Sequence, residues 1–149
     1  MAPSAVTVSL SAPLVQIYGN ELTVTGRWAN AKRNGNGNLY MEYTNVVNLD
    51  VRGKIDVGFL KSNKTYIGVF EVAGECTDIK IEVYDPKQKE MKNASKTYSN
   101  NANITSLASD SFQKPRDNGQ LMFRLVQRGN KAIGRMIIKR LILQEEIIK

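Results

Sequence analysis

Three groupings of side chains in this sequence have types and spacings that could do chemistry. Counting outward from Gly129-Asn130 as a two-residue turn sets Arg124 directly opposite Arg135, with Arg128 and Lys131 at the turn and Lys139 nearby. Like charges opposed on a sheet repel. The arrangement therefore calls either for an anion held bidentately (a phosphate, a carboxylate or an acidic sugar) or for an Asp or Glu from a neighbouring strand. Counting outward from Arg52-Gly53-Lys54 sets Asp50 opposite Asp56. Two carboxylates and a loop carbonyl would begin a calcium shell, or a glycosidase pair if a cleft ran between them. Arg52, Lys54 or Lys80 would otherwise screen the two charges. The third grouping is the stretch 29–38, ANAKRNGNGN, flanked by Trp28 and Tyr40. Tyr40, Asn34, Asn36, Asn38 and Arg33 offer the flat apolar ring and the amide and guanidinium hydrogen bonds that a sugar needs. The same mixture would stack and neutralise a nucleic-acid single strand. Trp28 falls on the core parity of its strand, so Tyr40 is the better exposed ring.

What is missing narrows the chemistry. The sequence contains no histidine and one cysteine, Cys76. Ser-His-Asp and Cys-His catalysis are excluded, along with zinc sites built on His or on four Cys. Carboxylate, Lys, Tyr or Ser chemistry remains, with oxygen-ligand cations such as calcium. A net charge of +7 favours anionic partners. Its basic residues are spread along the chain, and no Arg-rich arm of the genome-packaging kind is present. No apolar run is long enough to span a membrane. The first residues lack the basic and apolar regions of a signal peptide, which fits a natural N-terminus or an initiator Met before an excised module. Asn63, Asn93 and Asn103 head N-x-Ser/Thr triplets, frequent by chance in so Asn-rich a chain.

The elements that must position these residues are strands. Runs rich in Val, Ile, Thr, Tyr and Phe alternate with period two at 6–10, 14–18, 21–27, 39–43, 46–51, 55–60, 65–72, 78–84, 121–127 and 132–143. Three hairpins follow: 14–18 with 21–25 about Gly19-Asn20, 47–51 with 55–59, and 121–127 with 132–138. Each puts its apolar residues on one face. The polar stretch 85–119 has room for short strands at 95–98 and 104–107. Residues 133–149 also fit an amphipathic helix, but the β-branched Ile137-Ile138 and the preceding turn favour a strand. A bulge at Lys139-Arg140 then returns Leu141 and Leu143 to the core face. About ten strands with frequent turns make an all-β, antiparallel two-sheet sandwich of jelly-roll type, occupying 1–149 as a single domain. Phe123, Leu125, Ile17, Leu22, Val24, Leu49, Val57 and Phe59 should be buried in it.

The ending Met136-Ile137-Ile138-Lys139-Arg140-Leu141-Ile142-Leu143-Gln144-Glu145 resembles the closing strand of galactose-binding-like β-sandwich modules, which finish on an alternating I-x-x-L-x-L segment and an acidic residue. That resemblance implies a non-catalytic module, not an enzyme, that binds a polysaccharide or glycan through exposed aromatics and is secreted as part of a larger protein. No cofactor is expected beyond a structural calcium at Asp50 and Asp56. The basic balance keeps a second expectation open: a viral jelly-roll protein of capsid, tail or movement type. Its partners would be copies of itself or nucleic acid, in the virion or host cytoplasm.

Overall fold

The structure is a computed structural model. It describes residues 8–33, 40–76, 78–98, 101–128 and 133–148, apart from the side chains of 8, 26–33, 45, 76, 101–103 and 148. Eleven strands are present among them: β1 (Val8–Leu10), β2 (Val15–Tyr18), β3 (Thr23–Arg33), β4 (Met41–Asp56), β5 (Thr65–Cys76), β6 (Ile79–Tyr84), β7 (Lys96–Tyr98), β8 (Asn101–Ala108), β9 (Phe112–Gln113), β10 (Gln120–Gln127) and β11 (Ile133–Ile148). Every pairing is antiparallel. Two 3-10 turns, Gly19–Glu21 and Val57–Phe59, complete the list.

The strands form an all-β sandwich of jelly-roll type. One sheet runs β7-β6-β10-β4-β3. The other has β11 at its centre, with β5 along one edge and β4, β2 and β1 in succession along the other; β8 and β9 extend it beyond β5. The two longest strands join the sheets by changing partner midway. Residues 41–46 of β4 pair with β11, and residues 50–56 pair with β10. Between them Asn48 has φ 55, and two residues of β4 oppose one of β3. Asn tolerates that left-handed conformation better than most residues, and the resulting bulge bends the strand. The buried N–H of Leu49 there donates to Gln127 Oε1 at 3.3 Å. β11 bulges at Lys139, where it leaves β4 for β2. The bulge expected at Lys139-Arg140 is thus present, with Leu141 and Leu143 buried.

Phe123 of β10 crosses the sandwich onto β5, where a Cβ on Gly68 would stand 2.3 Å from its ring. Phe112 packs on Phe123 at 5.7 Å and on Tyr66 at 6.3 Å between ring centroids. Burial lifts the pKa of the Tyr43 hydroxyl, in the same core, to about 12. At one side the Tyr98 hydroxyl of β7 donates to the Ala108 carbonyl of β8 at 2.8 Å and accepts its N–H at 3.0 Å. Of the expected core residues, Phe123, Leu125, Leu22, Leu49 and Val57 are buried, Ile17 and Val24 are partly buried, and Phe59 is 56% exposed. The 3-10 turn at Val57–Phe59 ends the period-two alternation just before it.

None of the three expected hairpins forms. β2 pairs with β11 and β3 with β4, because the Gly19–Glu21 turn carries the chain between sheets. Residues 47–56 are one continuous strand. Gly53 lies within it because any side chain would strike Leu141 and Leu22, at 2.5 and 2.8 Å from a Cβ. β10 pairs with β4 and β6, and β11 with β5, β4, β2 and β1. The stretch 29–33, expected as loop, belongs to β3.

Gly19 is a stringent position: a Cβ would lie 2.1 Å from the Ile138 carbonyl oxygen. Gly19→Ala should destabilise the protein by more than about 2 kcal/mol. At Gly134 nothing lies within 4 Å. Gly134→Ala should be neutral or stabilise by up to about 1 kcal/mol. Urea-unfolding midpoints of the two variants check this.

Candidate functional site

The outward face of the β6-β10-β4-β3 sheet is built in rows fixed by strand register. Tyr84, Met122 and Lys54 form one row. Glu82, Arg124, Arg52 and Thr23 form the next, and Lys80, Val126, Asp50 and Thr25 the third. Alternation along β10 sends Leu121, Phe123 and Leu125 into the core and leaves Met122, Arg124 and Val126 on this face. Above the first two rows lies a cleft of ≈ 850 Å³. It is lined by Tyr84, Met122, Arg124, Arg52 and Lys54 with Ile17, Thr23, Gln88 and Gln120, and by Glu21, Asp85 and Pro86.

Three of the lining residues, Arg52, Arg124 and Tyr84, belong to a continuous ion-pair network that extends beneath the cleft. Arg124 donates from Nε and Nη2 to Asp50 Oδ2 at 3.1 and 2.7 Å, and from Nη1 to Glu82 Oε1 at 3.0 Å. Arg52 donates from Nε and Nη2 to the two oxygens of Asp50, each at 3.1 Å. The Tyr84 hydroxyl donates to Glu82 Oε1 at 3.1 Å. Lys80 Nζ lies 3.3 Å from Glu82 and 3.0 Å from Glu90. Burial alone would raise the Asp50 pKa, but the hydrogen bonds from Arg52 and Arg124 outweigh it and hold the carboxyl below its usual range. Hydrogen bonding to Asp50 raises the pKa of Arg124, and burial raises that of Tyr84. Every group here is held in one orientation before any ligand arrives.

The groupings suggested by spacing come out differently. Arg124 stands beside Arg52 and Glu82, not Arg135. Arg135 pairs with Thr44 in register and donates to Glu42 Oε1 at 2.6 Å. Both guanidiniums are neutralised internally and lie on different strands of different sheets, so the opposed pair behind the expected anion site does not exist. Arg128 is exposed at the end of β10, where its N–H donates to the Asp78 carbonyl; Lys131 lies outside the described residues. Asp50 and Asp56 lie six positions apart on one extended strand, roughly 20 Å. Asp50 is paired with arginines, and Asp56 Oδ1 caps the following 3-10 turn through the Gly58 N–H at 2.7 Å. The facing carboxylates that suggested calcium are therefore absent. Among the described residues no group of three or more His, Cys, Asp or Glu side chains could hold a metal ion.

Tyr40 is half-buried just before β4. Asn34, Asn36 and Asn38 lie outside the described residues, and Arg33 ends β3, in register with Met41. The cleft lies at the far end of β4 from these. Tyr66 is core. The cleft's Met122, Gln120 and Arg52 escape a reading by local spacing, because only the non-sequential order β6-β10-β4 brings them together.

No helix of the described residues is long and apolar enough to cross a membrane. No family model matches the chain, and no curated protein matches it. Similar solved structures exist. A CBM4 module matches with a TM-score of 0.57 and 12% identity, over 90% of this chain and 94% of its own. A CBM61 module in complex with β-1,4-galactotriose matches with a TM-score of 0.53 and 13% identity, over 85% and 89%. The chain thus has the sandwich fold of carbohydrate-binding modules, as its closing strand suggested.

Asp50 makes the network sensitive to acid. Its lowered pKa contributes stability that is complete above about pH 4, the unfolded carboxyl value, and is lost as pH falls through the folded value. Asp50→Asn should cost roughly 2–3 kcal/mol at neutral pH, between an exposed and a fully buried pair. It should also flatten the fall in stability below about pH 4. Unfolding midpoints of both proteins across that range test the assignment.

Proposed function

We propose that this chain is a non-catalytic carbohydrate-binding module whose ligand lies in the cleft across β6, β10, β4 and β3. The observation that carries the reading is the cleft itself. Its ≈ 850 Å³ is within the usual range for ligand sites. The apolar surfaces of Tyr84 and Met122 lie beside guanidinium, ammonium and amide donors, the mixture that suits a sugar's C–H face and its hydroxyls. The likeness of fold to modules such as the one holding β-1,4-galactotriose agrees with this. A non-catalytic role is supported by the carboxylates of the network. Asp50 and Glu82 are both held in ion pairs with cations, Asp50 by Arg52 and Arg124 and Glu82 by Arg124 and Lys80.

The test is calorimetry or affinity electrophoresis against a panel of soluble polysaccharides that includes β-1,4-galactan. Tyr84→Ala should weaken binding of whichever glycan the wild type holds by about tenfold or more, the worth of a lost stacking surface. Tyr84→Phe, which keeps the ring, should retain most of it. Tyr40→Ala, distant from the cleft, should bind normally. Loss of binding in Tyr40→Ala with normal Tyr84→Ala would move the site to the β3–β4 end. Absence of binding across the panel would refute the proposal.

A further inference from the structure

We infer that the cleft selects glycans that carry carboxylates, uronic-acid polysaccharides, and that Arg52 and Lys54 read the carboxylate. This rests on the cleft being the glycan site. The charges of the network are layered by depth. The Asp50 and Glu82 side chains are 11% and 6% exposed, whereas the Arg52 side chain is 44% exposed. Within the network, a ligand entering from solvent therefore meets Arg52 before the two carboxylates beneath it.

The network balances three cations, Arg52, Arg124 and Lys80, against three carboxylates, Asp50, Glu82 and Glu90, and Lys54 is a further cation outside it. Asp50 serves Arg52 and Arg124 together, and Glu82 serves Arg124 and Lys80 together. Arg52 binds Asp50 through Nε and Nη2, and its Nη1 has no acceptor among the described residues. Lys54 lies two positions further along β4 on the same face, roughly 7 Å away. It is exposed and makes no ion pair among the described residues. One guanidinium N–H and one ammonium at that spacing form a clamp for a carboxylate, beside the apolar surface of Met122 and Tyr84. Arg124 takes no part, since three of its nitrogens already donate. Of the lining carboxylates, Asp85 accepts the N–H groups of Lys87 and Lys89, and Glu21 is the exposed one.

The experiment uses one backbone with and without its charge: polygalacturonate and the same polymer fully methyl-esterified, with neutral β-1,4-galactan beside them. The acid form should bind about tenfold or more tightly than the ester, and its affinity should fall as salt rises from about 50 to 200 mM. Lys54→Gln, which leaves the network intact, should remove most of the difference between acid and ester without changing the unfolding midpoint. Arg52→Gln should also remove most of that difference, with a lower unfolding midpoint because Asp50 loses a partner, and Glu21→Gln should strengthen binding of the acid form. Equal affinity for acid and ester, or preference for neutral galactan, would overturn this inference and leave the carbohydrate site standing. No binding to any glycan would overturn both. Single-stranded DNA competing as well as polygalacturonate would show an unselective basic surface and overturn the assignment to uronic acids.

Discussion

A strand that must serve two sheets cannot be straight, and the fold depends on how β4 bends. At Asn48 the backbone takes φ 55, one residue of the ladder goes unmatched, and β4 passes from β11 to β10. Gln127 supplies an acceptor for the buried Leu49 N–H at that point. β11 repeats the manoeuvre at Lys139. Beyond the first bend, Asp50, Arg52 and Lys54 are thereby turned onto the face where Arg124 and Glu82 wait. The cleft exists because β4 changes sheets.

Local pattern in the sequence was sufficient for some of this and silent on the rest. Strand positions, inward parity and the Lys139 bulge are properties of neighbouring residues, and they are legible. Even the pieces at 95–98 and 104–107 stand out from their surroundings, at the sites of β7 and β8. Pairing is a different kind of property. In a jelly roll the chain commonly crosses to the opposite sheet between consecutive strands, so a Gly-Asn dipeptide marks a reversal without making the flanking strands neighbours. The stretch at Arg52-Gly53-Lys54 shows why parity could not reveal this. Odd-numbered residues share a face in a three-residue hairpin and in an uninterrupted strand alike. Only the space left by Gly53 for Leu141 and Leu22 distinguishes the two.

That ambiguity propagated to the chemistry. Once the hairpins are exchanged for the real pairings, Asp56 becomes a turn cap and Arg135 a partner of Glu42. Arg124 and Asp50 acquire each other instead. Two residues from separate speculative sites thus make one ion pair, as the like-charge argument required: a guanidinium set beside another guanidinium needs a carboxylate, and β4 and β6 provide two. Screening of Asp50 by Arg52 was visible in the sequence. The cleft walls were not, because their shared feature is adjacency across strands far apart in the chain.

The contact between Tyr98 and Ala108 bears on a hazard common to such folds. β7 and β8 each have a strand partner on one side only among the described residues. A lone hydroxyl that both gives and takes a hydrogen bond at Ala108 stands in for the missing neighbour. It occupies the backbone groups through which a stray β-segment would begin to zip on. At that point of the edge one phenol takes the place that a charged or kinked border takes in other β-proteins.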